Sequence, residues 1–448
     1  MRCIRIGSGA GYAGDRLEPA LELIEKGNLD YIGFECLAER TIALAQQERA
    51  EHPERGYNPL LTYRLEKVLP LAQQKKVKVI TNMGAANPES AAEKAAEIAC
   101  RHGLTGLKIA AVTGDDVLDK LQQYQDRDIW ENGRPLSEFA GEILSANVYM
   151  GAQPIVEALR NGADVIITGR VSDPALFLAP LIYEFDWQDD DWVKLGKGTL
   201  VGHLLECGGQ VAGGYFADPG RKEVPDLARL GFPLAEVSEN GDFLLTKAEG
   251  SGGCITRHTC IEQMIYEIHD PTKYFTPDVT ADFSQVQFTE VGKNCVRVEG
   301  AGGHPKTDTL KVSIGYKDCF IGEGEISYGG AGAYVRAKLA AEIVKKRFLL
   351  TGVLLEELKI DYIGVDSTYW NHKQDYIVPE EVRLRIAGRA KDLQVARAVG
   401  REVESLYTNG PAGGGGARQS VREITSIASM LIDRNDVHPK VTYLEVKK

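Results

Sequence analysis

Polar runs interrupt this chain at the ends of short apolar ones: Gly7–Asp15, Glu35–Arg40, Asn82–Asn87, Thr113–Asp116 and Thr168–Asp173. Carboxyl groups move protons when burial shifts their pKa, so Asp15, Glu35 and Asp173 are the candidate catalytic acids and bases. Arg170 can hold a substrate carboxylate through its two-pronged fork. Asn82 ends a third apolar run and is a candidate contact. Each residue also has a plainer reading: helix caps for Asp15, Asp115 and Asp173, an internal salt bridge for Arg170. Their convergence favours chemistry.

The first run reads GSGAGYAGDR, and Gly9, Gly11 and Gly14 satisfy G-x-G-x-x-G after a strand and before a helix. Glu35 follows Gly14 by 21 residues, where a ribose-binding acid would sit. Gly9, Gly11 and Tyr12 are therefore candidate ligand contacts, with the backbone cradling an anionic group. The alternative is a tight turn needing positive φ. One feature disagrees with a dinucleotide site. Asp15 reads as the helix N-cap, which puts the third glycine before the helix rather than inside it. NAD(P) is the less favoured ligand.

His203 and Cys207 stand four apart with Glu206 beside them, so Glu206 is a candidate binding residue and Cys207 a nucleophile that His203 would serve. Cys254, His258 and Cys260 would complete a zinc site. Neither C-x-x-C nor H-E-x-x-H occurs, and no metal is expected. Near the C-terminus, TNGPAGGGGARQS offers an anion-binding nest with Arg418 and Arg422 beyond it, or a flexible connection.

The elements that would position these groups alternate. Strands are predicted at 3–6, 29–35, 77–83, 107–112 and 164–168, with helices at 16–26, 38–49, 59–74 and 88–102 between them. That rhythm gives an α/β domain with a doubly wound, Rossmann-like parallel sheet, whose carboxyl edge would gather the candidates around one crevice. Residues 174–303 read as irregular cover for the sheet, mainly helical as far as 211 and with short β-like runs at 243–246, 286–291 and 295–299. From 309 the order strand, helix, strand, strand, helix, strand predicts an α+β, ferredoxin-like βαββαβ domain. The expected division is 1–303 and 304–448.

Composition bounds the function. Lys plus Arg number 52 and Asp plus Glu 64, a net charge of −12, which argues against nucleic acid or an anionic membrane as partner. No apolar run reaches the ~18 residues needed to span a bilayer. The N-terminus enters a strand directly, and eight scattered cysteines form no disulfide framework, so a cytoplasmic protein is expected. Glycine is high, 48 of 448 residues, and clustered in short runs.

The runs IGSGAGYAGDRLEPA, LDYIGFECLAERTIALAQ, TNMGAANP, ITGRVSDPALFLAPL, GHLLECGGQVAGGYFADPG, TLKVSIGY, GEGEISYGG and TNGPAGGGGARQSV resemble the acyclic terpene utilisation protein A family, in order, from Arg5 to Val421. The resemblance implies bacterial catabolism of a carboxylic acid or its CoA thioester. It also implies a small companion domain, here on a separate polypeptide. The expectation drawn from residues and resemblance together is a lyase of the hydratase type, in a homo-oligomer, on a small anionic metabolite or acyl-CoA. The alternatives are an NAD(P)-dependent dehydrogenase and a non-catalytic ligand-binding or scaffold subunit.

Overall fold

The computed structural model describes residues 2–369 and 379–447. It is a mixed α/β protein whose contacts divide it into two compact units. The first comprises residues 1–139, 144–315 and 427–448, the second 140–143 and 316–426.

The first unit is built on a ten-stranded sheet. Its middle is parallel: β1 (Cys3–Ala10), β2 (Tyr31–Phe34), β3 (Lys78–Thr81), then β5 (Val165–Thr168) inserted before β4 (Lys108–Thr113). From β1 to β4 the chain advances in one direction, through α1 (Glu18–Lys26), α2 (Glu39–Glu51), α3 (Leu61–Lys75) and α4 (Pro88–Arg101). It then doubles back to β5 through α5 (Gln153–Arg160). Parallel crossovers are right-handed, so reversing direction changes the face a connection covers. Accordingly Ile32, Phe34, Val79, Ile109 and Val165 share one core with Leu23, Leu65, Val68 and Ile98 from α1, α3 and α4. On the opposite face Gly33 leaves room for the Phe177 ring of α6 (Ala175–Phe185), which packs against α5 and α7 (Trp192–Leu205).

The sheet is mixed where an all-parallel one was expected. Beyond β1 run four antiparallel strands, Pro233–Ser238, Phe243–Lys247, Cys295–Glu299 and Gln287–Gly292. They come from the glycine-thick stretch: three coincide with the short β-like runs expected there, and only Pro233–Ser238 was not expected. The last strand, Lys440–Glu445, joins the opposite edge of this sheet, antiparallel to β4.

In the second unit the strands lie in the order Glu357–Ile363, Glu381–Ala390, then Thr309–Gly329 from residue 316 onward and Gly414–Asp433 as far as residue 426. Helices Ala333–Thr351 and Leu393–Glu404 share its core with Ile326, Leu384 and Ile386. Two of these strands are long, 21 and 20 residues, and both carry glycines. Gly322 and Gly324 belong to a strand: a Cβ there would meet the Ala396 carbonyl and Val403, so their absence lets the second helix approach the sheet. Likewise the glycine run expected as a nest or loop is strand from Gly414 onward, and Arg418 is exposed on it. Among the described residues, no helix is long and apolar enough to cross a membrane.

Candidate functional site

The carboxyl ends of the parallel strands supply the chemistry. Glu35 follows β2, Asn82 follows β3, and Arg170 and Asp173 follow β5; Glu206 closes α7. Glu35 is buried. Its Oε1 accepts from the Leu37 N–H at 2.7 Å and from Asn82 Nδ2 at 3.0 Å, while Asn82 Oδ1 accepts from the Cys36 N–H at 2.7 Å. Burial pushes the Glu35 carboxyl up, against those donors and the nearby Arg170 charge.

Arg170 is 2% exposed. Its Nη1 donates to the Leu37 carbonyl, and its guanidinium carbon lies 4.0 Å from the centre of the Tyr149 ring. Nη2 is 2.9 Å from Asp173 Oδ1, an ion contact without hydrogen-bond alignment, so Oδ1 has charge beside it but no donor aimed at it. Nε has no partner either. The fork expected to grip a substrate carboxylate is thus occupied by Leu37 and Asp173. Its backbone is fixed as well, since Asp115 Oδ2 accepts the Arg170 N–H at 3.0 Å and Asn147 Nδ2 at 2.9 Å. Burial raises the Asp115 carboxyl to about 6, with these donors opposing.

Asp173 is the acid of this cluster with an opening. Its Oδ1 is buried, yet the side chain keeps 34% of its surface exposed. Burial drives its carboxyl well above the usual range; Arg170 pulls it back, and Glu35, Glu206 and Glu39 push it further up. Negative charge crowded around one guanidinium therefore favours the neutral acid.

The remaining carboxyls each have a cation. Glu206 Oε1 lies 3.1 Å from His203 Nδ1, and His203 Nε2 lies 3.1 Å from the Met264 carbonyl, which can only accept. Burial alone would lower the His203 pKa, but Glu206 and the carbonyls reverse it and push it up, which favours the charged ring. Among the described residues, Glu206 Oε2 has no partner. Glu39, which the sequence reading did not single out, accepts from the Tyr149 hydroxyl and from Lys311 Nζ at 3.2 Å. Burial would raise its carboxyl, but Tyr149, Arg170 and Lys311 hold it at about 2.

Other expectations fare differently. Asp15 lies outside this cluster and is not the helix cap: α1 begins at Glu18 with Leu17 before it. Its two oxygens accept the Gly11 and Arg16 N–H groups, both at 2.8 Å, which ties it to its own loop. Gly9, Gly11 and Gly14 all keep negative φ. Gly9 is the extra residue of a bulge in β1, between Ser8 and Ala10, and a Cβ there would meet the Phe34 ring at 2.6 Å. A Cβ on Gly11 would meet the Cys207 carbonyl carbon at 2.4 Å. These glycines make room for protein, not for phosphate. With His203 committed to Glu206 and Met264, it is not the base that would serve Cys207, whose thiol burial pushes up. His258 is exposed, and the described residues hold no cluster of three or more potential metal ligands.

Tyr12, 60% exposed, faces a cavity of about 520 Å³ that Gly11, Asp15 and Cys207 also line. Glu35, Arg170, Asp173 and Glu206 are not on its wall; Cys207 adjoins them through the chain. Missed from the sequence were Glu39, Tyr149 and Lys311. Of these, only Glu39, one helical turn after Glu35 on the same strand end, carried a local signal.

Residues 4–443 match the model of the family described as acyclic terpene utilisation family protein AtuA. No curated protein and no solved structure matches the chain.

Proposed function

The chain belongs to the acyclic terpene utilisation family AtuA, and on that premise we propose that it is a catabolic lyase of the hydratase type, acting on an unsaturated carboxylic acid or its CoA thioester. The observation that carries the reading is Asp173: an acid that its burial and the neighbouring carboxyls push well above the usual range, charge-compensated by Arg170, and open over part of its surface. Glu206 is its complement, a carboxyl whose Oε1 lies 3.1 Å from His203 Nδ1 and whose Oε2 has no partner among the described residues. An acid pushed up beside a second carboxyl paired with a histidine is an arrangement suited to acid–base chemistry.

In hydration, Glu206 takes a proton from water as the water oxygen bonds to the β-carbon. The π electrons move toward the α-carbon and the carbonyl, and Asp173 delivers its proton to the α-carbon. Glu206 ends with one proton more and Asp173 with one fewer; exchange with solvent at the open side of Asp173 resets the pair. Arg170 is a positioning residue, whose charge stabilises Asp173 once it has ionised. The strand order of the first unit supports a doubly wound, Rossmann-like parallel core within the mixed sheet, and that of the second supports a ferredoxin-like arrangement.

The experiment is turnover of α,β-unsaturated acids and their CoA thioesters in deuterium oxide, followed by proton NMR. Deuterium should appear at the α-carbon of a β-hydroxy product. Asp173→Asn and Glu206→Gln should each lower the rate by on the order of a hundredfold or more. Undiminished turnover in both variants would contradict the proposal.

A further inference from the structure

The cavity beside the acid cluster differs from it in chemistry. Tyr12, Tyr215, Tyr266, Leu227, Leu230 and Phe232 line it, with Phe232 only 3% exposed. Its one carboxylate, Asp15, is saturated by backbone N–H groups, and its one cation is Arg16. Gln210 and Cys207 complete its polar side. Its volume, about 520 Å³, is that of a small-molecule site.

Two features mark it as a binding site. Tyr215 is 92% exposed and stands at φ 60°, a conformation that bulky residues rarely take and that persists only where the surroundings impose it. Tyr12, across the same cavity, also leaves most of its ring in water. Aromatic rings left exposed around a concave apolar wall are surfaces awaiting contact. Continuity supplies the second feature. Cys207 forms part of the wall, and the residue before it, Glu206, belongs to the acid cluster.

We infer that this cavity holds the apolar acyl tail of the substrate, a medium-length hydrocarbon chain whose carboxyl or thioester head lies at the acid cluster. The inference rests on the reading of that cluster as the reacting centre, but it has its own test.

Saturated carboxylates cannot be hydrated, so their binding reports the tail alone. Titrating the full chain calorimetrically with butanoate, hexanoate, octanoate and decanoate should show Kd tightening roughly three- to fourfold per added methylene, the equivalent of ~0.8 kcal/mol per buried methylene. Leu230→Trp, which fills the cavity, should flatten that dependence. Leu227→Glu, at a position already 41% exposed and so tolerant of change, should weaken decanoate at least tenfold. Affinity independent of chain length would overturn the inference, as would the same dependence in both folded variants. Chain-length dependence without turnover of any unsaturated acyl compound would leave the tail site standing and remove the hydratase reading. Turnover without chain-length dependence would do the reverse.

Discussion

The guanidinium carbon of Arg170 lies 4.0 Å from the centre of the Tyr149 ring, and the hydroxyl of that tyrosine donates to Glu39. One buried cation is thereby fixed on three sides, by an aromatic face, by the Leu37 carbonyl and by Asp173. A buried charge is costly without compensation, and the Leu37 carbonyl, Asp173 and the Tyr149 ring supply it here.

Replacing Arg170 separates its charge from its shape. Arg170→Lys keeps the charge but cannot reach Leu37, Asp173 and the ring together, so the chain should fold with the rate of turnover reduced at least tenfold. Arg170→Met leaves the surrounding carboxyls without their cation and should cost about 3–5 kcal/mol in urea denaturation. Equal stability of the methionine variant would contradict this account.

Asp115 makes stability fall as pH rises. Its carboxyl goes from 3.8 to about 6 on folding, so the folded chain binds more protons between those values. The stabilisation is complete below the unfolded value and is lost as pH rises through the folded one, about 3 kcal/mol in all. Asp115→Asn should remove that segment from a plot of unfolding free energy against pH. An unchanged slope would exclude Asp115 as its source.

Glu39 acts in the opposite sense. Held at about 2 rather than 4.5, it stabilises the fold above its unfolded value, and that contribution fades as pH falls toward 2. Tyr149→Phe removes a donor, so a carbon-13 NMR titration of the Glu39 carboxyl should show a higher midpoint. A midpoint left in place would mean that Arg170 and Lys311 suffice.

The glycines of the first run test whether they serve packing or a ligand. Gly11→Ala puts a methyl 2.4 Å from the Cys207 carbonyl carbon and should destabilise by roughly 1–3 kcal/mol. At Gly14 the nearest atom is Tyr12 Cε2, 3.1 Å away on an exposed ring that can turn aside, so Gly14→Ala should cost far less. Equal losses at both positions would contradict the packing role.

The parallel core was legible because its strands are short apolar runs between helices of clear period, and their ends pointed to Glu35, Asn82, Arg170 and Asp173 together. Two physical facts hid the rest. The run containing Gly414 reads as a nest or loop and is strand, and no period marks 317–329 as strand, where Gly322 and Gly324 serve close packing. Long-range partners carry no local signal: Tyr149 and Lys311 reach Glu39 from distant elements, and Asp15 reads as a cap or a base until its two backbone donors are seen.

The central claim is that Asp173 is a protonated acid in the folded protein at neutral pH, and it can be tested without a substrate. Infrared difference spectroscopy of the full chain should show a protonated-carboxyl stretching band at neutral pH that Asp173→Asn removes and Glu35→Gln retains. Absence of the band, or its persistence in folded Asp173→Asn, would contradict the account.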